Sequence, residues 1–351
     1  MNLYYFLNER PTRKYSEQNH IYSLMHEMIT RFEFDIKVFS LNVSNRRINT
    51  ELKSIRSGTT VNTLMPLYIK RLIHKGLKVP LSSSIQENSL MHYFRPPMYK
   101  TKNRVKKIFE LVTIKEILAP EFFEKKGPDI FREIKILNSA DKIIVHSEYM
   151  AEEVKSRLFV DDNKVQVIPK GVYTHSTDQN ISKLVLPEKF ILFAGRIARY
   201  KNLGLLLKVF KDAVPHDVHL VIAGSGDHIP DQHRVKQLGY VDHTMIQSVM
   251  KSALCVVEPS FINDYPDTIL EALAVETPVI ASDIKAHRSV CKNDSVLYFS
   301  PLSGSSLAEA LDAVIRDKKI RDTLKKEGKA LADEHSWDNI SMEYKELYKT
   351  L

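Results

Sequence analysis

Phe190-Ile-Leu-Phe-Ala194-Gly195-Arg196 and, further along, His219-Leu-Val-Ile-Ala223-Gly224-Ser225-Gly226 are two apolar runs that each close on glycine. Between them, residues 203–212 carry apolar side chains at three- and four-residue steps, the period of an amphipathic helix. A buried strand, a helix and a second buried strand in that order predict a parallel sheet wrapped by helices. The unit repeats downstream, with helices expected at 244–252, 268–275 and 307–316 and strands at 253–258 and 278–281. The second half therefore reads as a doubly wound lobe.

The first half gives a weaker version of the same pattern. Strands are expected at 2–7, 35–41, 107–114, 142–145 and 165–168, and helices near 20–30, 129–138 and 149–158. Ser147 is the expected cap of the last helix, with acids in its first turn where the helix dipole favours them. Only Gly58, Gly76, Gly127 and Gly171 precede residue 180, which excludes a glycine-rich phosphate loop there. Residues 42–97 show no clear period. Residues 174–189 are polar and contain Pro187, which suits a linker. The expected architecture is α/β, with two Rossmann-like doubly wound lobes and a cleft between them. Residues 1–175 form the first lobe and 176–335 the second, and 336–351 are a helix that returns to the first lobe through Trp337, Tyr344 and Leu347.

Length and composition agree with two soluble domains: 351 residues, 43% hydrophobic and 27% charged. No apolar run approaches a membrane span, and Met1–Phe6 meets polar residues too early for a signal peptide. Cys255 and Cys291 are far apart and form neither a disulfide framework nor a metal-ligand spacing, so a reducing cytoplasm is expected. The net charge of +8 is concentrated: residues 46–107 hold 14 basic and two acidic residues. Such an excess attracts an anionic partner, whereas nucleic acid is disfavoured because no recognition motif accompanies the charge. An acidic membrane surface or a phosphorylated acceptor remains as the partner, and residues 63–79, with Leu64, Leu67 and Leu72 among Lys70, Arg71 and Lys75, have the pattern of a helix lying on such a membrane. A solvated, solubilising face is the plain alternative.

Two motifs carry chemistry. Pro259-Ser-Phe-Ile-Asn263-Asp264-Tyr-Pro266-Asp267-Thr268-Ile269-Leu-Glu271-Ala is a loop running from a strand into a helix, whose N-terminus offers N–H groups and a partial positive charge to a phosphate. Glu271 sits among apolar neighbours and needs a polar partner, for which ribose hydroxyls are suited. Gly195-Arg196-Ile-Ala-Arg-Tyr-Lys201 places a forked and a point cation after another strand, where a departing diphosphate would gather charge.

Together with Ile222–Gly226, Leu238-Gly-Tyr240-Val241 and Thr277–Ser282, these motifs resemble the donor-binding lobe of the family 4 (group 1) glycosyltransferases with the GT-B fold. Val112-Thr-Ile-Lys115-Glu116, Pro120-Glu-Phe-Phe123, Ser139–Glu148 and Val165–Val172 extend the resemblance to about 107–345. The resemblance implies that Arg196 and Lys201 hold the donor diphosphate and that Gly195 shapes their loop. It implies that Glu271 meets the ribose, Tyr240 and Val241 the base, and the segment Pro266, Thr268 and Ile269 the phosphate nearest the sugar. It further implies a retaining transfer of a hexosyl unit, with no metal and no cofactor beyond the nucleotide-diphosphate sugar, to a glycan or lipid-linked acceptor in bacterial cell-envelope synthesis. The protein would be cytoplasmic, or peripheral on the inner face of the membrane. Three positions depart from the family: Asn263 replaces its carboxylate, with Asp264 adjacent, Lys115-Glu116 replaces its His-Asp, and Asp267 stands where related sequences often carry Asn. Asn263 and Lys115 are the remaining candidate catalytic groups, and the same departures suit a catalytically silent binding subunit. A nucleotide-sugar hydrolase or epimerase is a third reading.

Overall fold

The computed structural model describes residues 3–7, 16–34, 36–40, 89–94, 105–119, 134, 137–173, 181–292 and 294–351. The basic stretch 46–107 lies outside these residues except at 89–94 and 105–107, as do the pattern at 63–79, Pro120–Phe123 and most of the helix expected at 129–138. The chain divides into two units: residues 1–171 with 337–351, and residues 172–336.

Unit 1 holds a six-stranded parallel sheet in the order β2-β1-β3-β4-β5-β6. Its strands are β1 Leu3–Leu7, β2 Ile36–Ser40, β3 Leu90–Tyr93, β4 Lys106–Glu110, β5 Lys142–Val145 and β6 Val165–Val167. The helices are α1 Ser16–Thr30, α2 Lys115–Leu118, α3 Glu148–Leu158 and, from the end of the chain, α10 Trp337–Thr350, which packs on α1. Ser147 caps α3, its hydroxyl accepting the Met150 N–H at 3.2 Å. The strand expected over 107–114 ends at Glu110. Leu111 still donates to Ile144 O, but the backbone then leaves the sheet and Lys115 opens the short helix α2 instead of ending a strand. Burial of Leu111, Val112 and Ile114 in that loop gave the stretch its strand-like composition.

Unit 2 also holds six parallel strands, in the order β12-β11-β10-β7-β8-β9. These are β7 Phe190–Ala194, β8 His219–Ala223, β9 Val235–Gly239, β10 Cys255–Glu258, β11 Val279–Ser282 and β12 Leu297–Phe299. The helices are α4 Leu203–Ala213, α5 His243–Ser252, α6 Asp267–Ala274, α7 Lys285–Arg288, α8 Gly304–Arg316 and α9 Lys318–Glu334. In α8, Leu307, Ala310, Leu311 and Val314 fall on one buried stripe that joins Leu206 and Phe210 of α4 over Phe193, Leu220 and Val257 of the sheet. On other elements, α6 packs against α5 and α9. Counted from β7, the strand order is that of a dinucleotide-binding sheet, and the order reverses between β7 and β10. In open parallel sheets, ligands bind at the carboxyl ends of the strands that flank such a reversal.

Candidate active site

The loops after β7 and β10 leave adjacent strands, since Cys255 pairs with Ile191 and Val256 with Leu192. The loop after β7 is shaped by glycine. Gly195 has φ +144°, and a Cβ on Gly224 or Gly226 would stand 1.8 or 1.9 Å from the carbonyl oxygens of Gly195 and Ile197. Backbone therefore lies directly on backbone, with Ile197 N–H donating to Ser225 O at 3.0 Å and Asp227 N–H to Ile197 O at 2.8 Å. This contact fixes the turn that carries Arg196, whose side chain is exposed.

Arg199–Lys201 is a single 3-10 turn, after which Asn202, in the left-handed region, ties its amide to Pro301 O and opens α4. The turn sends Lys201 inward. Its Nζ stands 3.1 Å from both carboxylate oxygens of Glu258, the last residue of β10. Glu258 is 1% exposed and also accepts from the Ser260 hydroxyl. Burial alone would raise the Glu258 carboxyl; the charge of Lys201 and the hydrogen bonds from Ser260 and Lys201 overcome it and hold the group below its usual range.

His287, on α7, closes the back of the loop. Its Nδ1 bonds Ser282 O at 2.9 Å, so Nδ1 carries the proton, and Nε2 accepts from the Asn263 amide at 3.2 Å. Burial, against the pull of Glu258, brings this imidazole down to about 4 and keeps it neutral. Asn263 Oδ1 accepts from Asp264 N–H, and Asp264 Oδ1 from Tyr265 N–H. Asn263 and Asp264 are both buried, with their polar atoms engaged in holding the loop.

The loop delivers the chain to α6, whose cap residue Pro266 makes no side-chain hydrogen bond to the helix end. Pro266 itself has no N–H, so the donors of this tip are those of residues 267–269, and Asp267 occupies the first helical position, not the cap. Glu271, one turn on, is largely buried, and its Oε1 lies 3.8 Å from His243 Nε2. Tyr240, after β9, is 44% exposed, and Val241 and Thr268 are partly exposed. Gly195, Arg196, Lys201, Asn263, Asp264, Pro266, Thr268, Ile269 and Glu271 thus all lie on the two loops flanking the strand reversal or on the helix that follows. Lys115 belongs to unit 1, partly buried at the start of α2, with its N–H 3.4 Å from Thr113 Oγ1.

The sequence reading did not find Glu258, Ser260, Ser282, His243 or His287. Glu258 had one signal, a charge closing the apolar run Cys255-Val-Val; the others had none, because each is tied into the site by a residue of another loop or helix, the Glu258–Ser260 pair by Lys201, Ser282 by Ser260, His287 by Asn263 and His243 by Glu271. It also found no metal-ligand set, yet the fold brings His20, Glu110 and His146 of unit 1 together, with one ligand atom from each within 4.8 Å of the others.

Comparison with known proteins agrees with this architecture. The family model described as glycosyl transferases group 1 matches residues 175–331, and that of Glycosyltransferase Family 4 matches residues 119–176. An uncharacterized glycosyltransferase of Methanocaldococcus jannaschii is 31% identical over 232 residues, covering 59% of this chain and 60% of that protein. The phosphatidyl-myo-inositol mannosyltransferase of Mycobacterium leprae is 29% identical over 203 residues, covering 52% and 53%. The chain thus spans somewhat over half the length of these curated relatives. Among solved structures, HepE of Anabaena in complex with UDP and glucose superposes with a TM-score of 0.76 at 14% identity over the whole of both chains, a likeness of fold. The sequence motifs, the pair of parallel sheets and both family models agree: the chain belongs to the family 4, group 1 glycosyltransferases, and its fold is GT-B.

Proposed function

We propose that this protein transfers a hexosyl unit, with retention at the anomeric carbon and without a metal, from a nucleotide-diphosphate sugar to a glycan or lipid-linked saccharide acceptor of the cell envelope. One observation carries the reading: the Gly195–Lys201 turn and the Pro266-capped tip of α6 leave neighbouring strands at the reversal of the sheet. A diphosphate seated there receives the Arg196 guanidinium, the remaining donor of Lys201 and the N–H groups of residues 267–269. Each donor aimed at the leaving phosphate contributes roughly 3–4 kcal/mol to lowering the barrier. In this reading Glu271 takes the ribose, Tyr240 and Val241 border the base, and Lys115 supplies the charge that the family's histidine otherwise supplies. Retention follows from the family resemblance. The lipid-linked acceptor class is supported by the likeness to the mycobacterial phosphatidyl-myo-inositol mannosyltransferase and by the basic excess of residues 46–107, which would seat the protein on an anionic inner membrane face. Among the described residues no helix is long and apolar enough to cross a membrane.

Incubation with a panel of nucleotide sugars and lipid-linked acceptors, read by nucleotide release, tests the proposal. Release is expected with one donor, and Arg196→Ala should lower kcat/KM by about a hundredfold or more without shifting Tm, since the side chain is exposed. A second reading, a silent nucleotide-sugar binder, draws on Asn263: an amide fastened to His287 and Asp264 stands where the family carries a carboxylate. Donor binding by calorimetry with no release under any acceptor would select it.

A further inference from the structure

Beneath α10, unit 1 buries four titratable side chains that the proposed transfer does not use. Glu110 ends β4 and is fully buried, as are His92 of β3, His146 after β5 and, on α1, His20. His20 Nε2 touches Glu110 Oε1, His146 Nε2 lies 3.5 Å from the same oxygen, and His92 Nε2 lies 2.9 Å from Oε2.

The proton inventory separates these imidazoles. His92 Nδ1 meets the Tyr348 hydroxyl at 2.7 Å, and Tyr348 meets Tyr5 at 2.8 Å. With Tyr5 donating to Tyr348 and Tyr348 to Nδ1, the proton of the ring sits on Nε2, beside Oε2, and His92 positions the carboxylate by charge. His146 differs. Its Nδ1 faces the carbonyl oxygen of Ile168 at 2.9 Å, a group that can only accept, so the proton of the neutral ring sits on Nδ1. Nε2 then turns toward Glu110 Oε1, the oxygen that His20 Nε2 also contacts. A cation bound among the three atoms would be shared by both imidazoles and the carboxylate, with His20 Nε2 drawing back from the oxygen to make room. Ligand atoms held at ~2.0–2.1 Å around a tetrahedral ion stand about 3.3 Å apart, near the 3.5 Å seen here. An imidazole whose second nitrogen is anchored on a backbone carbonyl, as His146 is on Ile168, is also the usual support of a metal ligand.

We propose that His20 Nε2, His146 Nε2 and Glu110 Oε1 form a structural site for a divalent transition metal of the zinc type. Two imidazole nitrogens and one carboxylate oxygen select such an ion over magnesium or calcium, which take oxygen ligands. The Tyr344 hydroxyl, 3.4 Å from His20 Nε2, offers a fourth oxygen. The ion would join α1, β4 and the end of β5 to α10, a clasp within unit 1 apart from the sugar-donor loops.

The test uses the full chain, dialysed against EDTA and then incubated with Zn2+ or Co2+. One equivalent of metal per chain by elemental analysis is expected, with visible d–d absorption from Co2+ and a Tm about 5–10 °C higher at a hundredfold excess over Kd. His146→Gln should abolish all three, and His228→Ala, a change at an exposed histidine, should leave them intact. Should His146→Gln not fold, the Co2+ spectrum of the unaltered chain decides alone. Sub-stoichiometric metal with an unmoved Tm overturns the proposal, as does a 15N spectrum that shows His20 doubly protonated under saturating Zn2+, because a proton would then be the cation.

Discussion

Each unit buries one glutamate at the end of a strand third from the edge of its sheet, and the two are neutralised differently. Glu258 at the end of β10 faces the ammonium of Lys201, a cation the folded site supplies permanently. Glu110 at the end of β4 faces three imidazoles and no permanent cation among the described residues. A buried ion pair broken on one side leaves an uncompensated charge, whereas an imidazole that loses a carboxylate partner can release its proton. The first arrangement commits unit 2 to a fixed charge beside the loops after β7 and β10; the second leaves unit 1 with a place that takes a cation conditionally.

The largest effect should come from Glu258→Ala, which strands Lys201 at 7% exposure: about 3–5 kcal/mol of stability, measured by urea unfolding, together with loss of turnover. A cost below 1 kcal/mol would break the contrast. Acid should act next, through His287. Its folded value of about 4 lies below the ordinary 6.5, so the unfolded chain binds the proton more readily. The stability this neutral ring permits is fully present above 6.5 and is lost as pH falls toward about 4, roughly 3 kcal/mol in all. The depressed carboxyl of Glu258 acts in the same direction at lower pH, its contribution lost as pH falls through its folded value. Urea midpoints across that window should flatten in His287→Gln. The smallest of the three is Glu110→Gln, about 1–3 kcal/mol, because the amide keeps the shape and an acceptor oxygen of the carboxylate and no lysine or arginine is stranded by the change. A loss equal to that of Glu258→Ala would mean that unit 1 also carries a fixed cation.

The second unit was the more legible in sequence because its central strands, Phe190–Ala194 and His219–Ala223, are buried apolar runs separated by amphipathic helices. Edge strands escaped. Val235–Gly239 reads Val-Lys-Gln-Leu-Gly, polar because one of its sides has no neighbouring strand, and Leu297–Phe299 is three residues long. Lys318–Glu334, a whole helix, was missed because its charged residues outnumber its buried stripe of Leu324, Gly328, Leu331 and Ala332. Within the site, Gly195, Arg196, Lys201 and Glu271 were readable because loop-to-helix spacing is local. Glu258 and His287 were not, because their pairing is set by which strands lie side by side. The same holds for His20, Glu110 and His146, which come from a helix and two strands with no shared spacing.

The chain enters and leaves unit 2 side by side. Val172 bridges Ser336 and donates to His335 O at 2.8 Å, and one residue outward a Cβ on Gly171 would strike the Trp337 ring. Unit 1 therefore encloses unit 2 in sequence, and its α10 is translated after residues 172–336. During synthesis residues 172–336 can complete their sheet while the earlier-made strands still wait for Trp337, Tyr344 and Tyr348 to cover them, so of the two units the one begun earlier is the one completed later.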